Sequence, residues 1–127
     1  MSADLFLRAG ADRRLAAGHL WVFSNEVDVQ RSPLQSFAAG DVVQVRRADG
    51  ALLGSAYMEP QSLICARVYA HGLEQSLSAD WLAPLVARAL ASREALLPGR
   101  CYRLVYGDSD GIPGLVVDRF GAYLVMQ

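Results

Sequence analysis

The sequence predicts a mainly β protein with an α/β extension, a small closed β unit followed by one helix and the first strands of a second unit. Three observations predict it. Short apolar runs separated by turn residues fill the first seventy positions; a three-to-four-residue apolar period takes over after Ser78; short apolar runs return from Cys101. The domain organisation expected from this is residues 1–72 for the β unit and 73–127 for the start of the α/β unit.

The β runs come in order as Leu5-Phe6-Leu7, Trp21-Val22-Phe23, Asp41 to Arg46, Leu52 to Tyr57 and Leu63 to Val68. Gly40-Asp41 and Asp49-Gly50 supply turns, and the second predicts a hairpin because glycine accepts a positive φ between two strands. Ala11 to Gly18 has the composition of one or two helical turns that Gly18 would end. Strands this short hold only when closed into a barrel or sandwich. Leu82, Leu85, Val86, Ala89, Leu90, Arg93 and Leu97 lie on one face of a helix stopped by Pro98-Gly99. Pro84 would remove a backbone donor if Ser78 were the cap, so the spacing favours a start near Ala83. Further strands are expected at Cys101 to Tyr106, Leu115 to Val117 and Tyr123 to Met126, with a tight turn at Arg119 to Gly121. The last apolar run, Tyr123 to Met126, is still in progress as the sequence ends, which gives the expectation that this is the front part of a longer protein whose chemistry lies further on.

Composition narrows the function classes. Fifty-three per cent apolar residues imply a folded core. The 12 basic residues, all arginine, are balanced by 13 acidic ones, which argues against a general polyanion binder and leaves only local arginine clusters to hold nucleic acid. No long uncharged apolar run suggests a membrane span or leader, so a soluble, cytoplasmic protein with no membrane partner is expected. Cys65 and Cys101 stand apart with no CxxC or Cys/His cluster and are expected to be reduced packing residues; no metal site is expected.

Two stretches carry candidate functional residues. In RRLAAGHLWVFSNEV, Arg13, Arg14 and His19 can point outward to phosphates and base edges with Ser24 and Asn25 as neutral hydrogen-bonding groups. The other reading packs Trp21 and Phe23 in the core and satisfies His19 with a backbone carbonyl. Arg46-Arg47 either belongs to the same surface or is a solvated face. In GDSDGIPG, Asp108, Asp110, Gly111 and Pro113 lack the twelve-residue loop and closing glutamate of a calcium site; a turn held by aspartates accepting backbone N–H groups is favoured.

Arg14-Leu-x-x-Gly-His-x-Trp-Val-Phe-x-Asn-Glu26, Gly40-Asp-x-Val43, Asp49-Gly-x-x-x-Gly54 and Pro60-x-Ser-x-Ile-x-x-Arg67 together resemble the amino-terminal PUA domain of the large-subunit ribosomal RNA methyltransferase I family. Tyr102 to Gly121 resembles the same family's central α/β domain. The resemblance implies a PUA-like β-barrel, 23S ribosomal RNA as partner, and S-adenosylmethionine-dependent methylation of cytosine C5, with the cofactor and the catalytic cysteine in a Rossmann-like domain absent from this chain. Neither Cys65 nor Cys101 falls in a catalytic motif, and no glycine-rich strand-to-helix turn with an acidic ribose partner is present, so no cofactor is assigned to this segment and it should be inactive alone. The GDSDGIPG loop is expected to face the catalytic domain and help place RNA. Glu59 stands where asparagine is common, which should weaken phosphate contact in the 58–62 loop. The alternative is a stand-alone protein-interaction barrel whose last strand edge would also allow a homodimer.

Overall fold

β1 (Ala3–Phe6) opens a five-stranded sheet completed by β2 (Trp21–Phe23), β3 (Val42–Arg46), β4 (Leu52–Met58) and β5 (Ile64–His71). The computed structural model describes residues 3–127. They fall into two compact units, Met1–Ser76 and Leu77–Gln127.

In the first unit the strand order is β1-β3-β4-β5-β2, with β1 parallel to β3 and the other pairs antiparallel. Chain beyond β2 returns to chain beyond β1 through a Leu7–Val27 bridge and the Arg8 N to Glu26 carbonyl bond, closing the sheet on itself. Closure gives short strands an interior to share. Leu5, Leu7, Val22, Val27, Val43, Val45 and Met58 are fully buried there. The hairpin expected at Asp49-Gly50 joins β3 to β4, with Gly50 at φ +92. α1 (Arg13–Ala16) is a single helical turn pinned by buried Leu15 and released at Gly18, φ +98. Residues beyond β5 stay with this unit: Ser55 Oγ lies 2.9 Å from Gln44 Oε1 and 3.0 Å from the Leu73 carbonyl, and accepts from Gln75 N.

The second unit sets α2 (Ala79–Leu96) against an antiparallel sheet of β6 (Cys101–Tyr106), β7 (Val116–Phe120) and β8 (Tyr123–Met126), in that order. Trp81, Leu82, Leu85, Val86 and Leu90 pack on Leu104, Val105, Ile112 and Val117. The helix starts at Ala79, four residues before the start the sequence favoured. Ser78 Oγ caps it by accepting from Trp81 N, and the first turn buries Trp81 and Leu82, which outweighs the donor lost at Pro84. Two other expectations shift. Strand β7 begins at Val116 rather than Leu115 and runs through Phe120, so the turn to β8 is Gly121-Ala122, with Gly121 at φ +62. Cys101 is exposed on edge strand β6 and is not a packing residue, whereas Cys65 is buried; both are free thiols.

Candidate nucleic-acid interface

Leu15 is the residue that orients α1. Because its side chain enters the core, the neighbouring Arg13 and Arg14 are left on the surface. His19 follows the Gly18 turn, is exposed, and donates its backbone N–H to the Arg14 carbonyl. β2 then alternates around buried Val22, placing Trp21 and Phe23 on the outer face. Trp21 is 41% exposed, which decides against the alternative that packs it in the core. Alternation decided its place, not its size.

After β2 the chain makes a 3-10 turn at Ser24–Glu26. Glu26 turns back so that its Oε2 accepts from Phe23 N at 2.9 Å while its Oε1 takes the Arg14 Nη2 donor at 2.6 Å. Arg14 also lies over the Phe23 ring, 4.6 Å from its centroid. Phe23 meets Trp21 edge-to-face at 6.5 Å, and Arg67 of β5 lies 5.6 Å from the Trp21 centroid. Arg67 is opposite Trp21 in the β2–β5 register and opposite Tyr57 in the β4–β5 register, so the three share one face of the sheet. Asn25 is exposed in this turn, and Ser24 is fixed through its N–H to the Leu63 carbonyl. Glu59 is exposed and bonds its backbone N–H to the Cys65 carbonyl.

Arg13, Arg14, His19 and Asn25 are exposed along the segment 13–25, and of these Arg14 contacts the Phe23 ring, which meets Trp21, which Arg67 approaches in turn. Arg67 escaped sequence reasoning because its partner is set by strand register. Arg46 and Arg47 sit at the β3–β4 turn and are engaged locally. Arg46 binds Asp4 at 2.6 Å, Glu74 at 3.7 Å and the Gly50 carbonyl; Arg47 pairs with Asp49, holding that carboxyl down at about 2.

In the second unit the GDSDGIPG loop forms a 3-10 turn, Gly107–Asp110, ended by Gly111 at φ +73. Asp110 accepts Tyr106 N at 2.7 Å and both terminal nitrogens of Arg93 at 2.7 Å, and Ile112 and Pro113 are buried. Asp108 gives its carbonyl to Gly111 N. This is the aspartate-held turn that the sequence favoured. An adenosyl cofactor does not fit it: the loop leads into antiparallel β7 and not into a helix, and Asp110 is already committed to Arg93. The buried Cys65 thiol is pushed up to about 11, chiefly by desolvation, and offers no thiolate. Among the described residues no helix is long and apolar enough to cross a membrane.

Ribosomal RNA large subunit methyltransferase I from Shewanella denitrificans is 37% identical over the whole of this chain, and that from Aeromonas hydrophila 34%. In both cases the chain spans 32% of the relative's length. A solved structure described as a SAM-dependent methyltransferase from Streptococcus mutans superposes with a TM-score of 0.80 over 98% of this chain and 32% of its own, at 20% identity, which speaks for the fold. A second, described as a methyltransferase complexed with SAH, gives 0.79. The model of the PUA-like domain matches residues 5–71, more than half of the sequence, and the chain belongs to the PUA-like domain family.

Proposed function

We propose that the first unit is the RNA-binding surface of a SAM-dependent ribosomal RNA methyltransferase, holding large-subunit rRNA for methyl transfer at cytosine C5 by another part of a longer protein. The observation that carries this reading is that Arg13, Arg14, His19 and Asn25 lie exposed along one segment of the PUA-like unit. Similarity over the full chain to rRNA large subunit methyltransferases supplies the reaction class. In this reading the 127 residues bind RNA but transfer no methyl group, and S-adenosylmethionine is held elsewhere. The protein works in the cytoplasm, where ribosomes are assembled. Asp108, Asp110, Gly111 and Pro113 shape a rigid loop for contact with the catalytic part.

Salt dependence tests it. With about three phosphates neutralised on single-stranded RNA, log affinity falls against log salt with a slope near −2. Arg13→Ala should reduce that slope by about 0.7 and weaken all sequences alike. A slope near zero would sink the proposal.

A second reading has its own observation. β8 leaves Tyr123, Leu124, Val125 and Met126 exposed on a sheet edge, a surface suited to strand pairing with a protein, including a second copy. It concerns the other unit and is compatible with RNA binding by the first.

A further inference from the structure

We infer that the chain leaving the first unit, Gly72 to Gln75, is a strap latched to the outer face of the sheet by Ser55, and that it opens by itself while the sheet stays folded. In β3, Val43 and Val45 on either side of Gln44 enter the core, so Gln44 and its register partner Ser55 of β4 lie on the opposite face. Outward-facing polar residues normally meet water. Here Gln44 is 4% exposed and Ser55 is fully buried.

The returning chain is bonded to them. After β5 ends at His71, Gly72 turns the backbone at φ +69 and donates its N–H to the Leu53 carbonyl at 2.8 Å. Ser55 Oγ then grips the strap at two points, accepting from Gln75 N at 2.9 Å and lying 3.0 Å from the Leu73 carbonyl, with Gln44 Oε1 2.9 Å away. A hydroxyl has one proton and two lone pairs, so one serine serves as donor and acceptor together. Tyr69 adds a further tie by donating its hydroxyl to the Gln75 carbonyl. Ser55 is the hub of the latch.

The strap is held by hydrogen bonds, for which water can substitute once it lifts. Leu73 is its sole large apolar side chain and is already 48% exposed, whereas Val43, Val45 and Val68 belong to the core cluster. Segments that bury little apolar surface open below the free energy of global unfolding. The consequence is a tether of two lengths. With the latch closed, the chain from Gln75 to Ser78, the cap of α2, spans at most about 10 Å; with it open, the chain from His71 to Ser78 spans up to about 24 Å. Ser55 is thus a positioning residue for whatever follows the first unit, whether or not that unit binds RNA.

The test uses the 127-residue chain, amide hydrogen exchange by NMR at rising low denaturant, and cleavage by a glutamate-specific protease. Gly72 and Gln75 amides should exchange together through an opening that denaturant hardly promotes. Met58 and Val68 amides, bonded to the Asp41 and Leu20 carbonyls, should exchange only through global unfolding. Ser55→Ala should speed Gln75 exchange and cutting after Glu74 on the order of ten-fold, with cutting after Glu59 unchanged. Tyr69→Phe, which keeps the ring and removes the hydroxyl that holds Gln75, should speed both about five-fold. If Ser55→Ala does not fold, Tyr69→Phe decides the matter. Wild-type rates at Gln75 and Glu74 in the folded variants would overturn the latch. Exchange of wild-type Gln75 in the same denaturant-dependent step as Val68 would overturn the separate opening.

Discussion

Asp110 joins three pieces of the second unit through one carboxylate. Arg93 reaches it from α2 with two parallel bonds of 2.7 Å, its Nε donates to the Arg103 carbonyl of β6, and Tyr106 N at the end of β6 donates to the same carboxylate. Both partners are largely covered, with side chains 19% and 10% exposed. Removing one member of such a pair leaves a covered charge behind, so Asp110→Ala should cost about 3 kcal/mol in urea unfolding at pH 7. Burial alone would raise the Asp110 carboxyl, but its bonds to Arg93 and Tyr106 N outweigh that and hold it below its ordinary value. The folded state therefore binds this proton less readily than the unfolded chain. The stability it confers is complete above the unfolded value of about 4 and is lost as pH falls through the depressed folded value. Wild type should lose stability in this acid window, and Asp110→Asn should lose distinctly less; equal acid slopes would show that the pair contributes little. Arg93 was visible in the sequence only as a member of the helical face. Its carboxylate partner lies 17 positions away, and no local pattern announces a contact made by packing.

Secondary elements were the most legible level. Alternating runs and the Asp49-Gly50 turn are local signals, and β3, β4 and the hairpin between them follow from them. The misplacements have local causes too. A proline argued against an early start for α2, yet cap and core contacts act through tertiary structure; the sequence left open whether Trp21 is buried, and Val22 occupies the inward position. Gly54 shows what the sequence holds but does not explain. The Asp49 to Gly54 spacing was noted as a motif, while the reason for the second glycine appears only in register. A Cβ at Gly54 would lie 2.2 Å from the Ala70 carbonyl oxygen on β5, beside the β4 irregularity at Ser55/Ala56, and Gly54 has φ +156. Backbone cannot move aside as a flexible side chain does. Gly54→Ala should therefore destabilise the first unit by about 3 kcal/mol by denaturant titration. Gly50→Ala, with nothing within 4 Å of its added Cβ, should cost less, about 1 kcal/mol from φ +92 alone.

At the scale of the whole molecule, two surfaces of opposite chemistry lie on separate units. One is the arginine and aromatic surface of the first unit, for which the proposed function expects a grip on RNA that weakens as salt rises. The other is β8, where Tyr123 is 78% and Met126 70% exposed and one edge of the strand has no neighbour in the sheet. An apolar strand edge associates by backbone pairing and burial of side chains, which added salt does not screen. Concentration-dependent self-association should accordingly be seen by sedimentation and should persist at high salt, where RNA is released. Val125 lies opposite Asp118 on β7, so a lysine placed there gains a carboxylate neighbour while charging the edge. Val125→Lys should abolish self-association, keep the unfolding midpoint and leave RNA affinity within about two-fold, because the RNA surface proposed above lies on the first unit. Association that survives Val125→Lys, or that disappears with salt in parallel with RNA binding, would show that copies meet through the charged surface and not through β8.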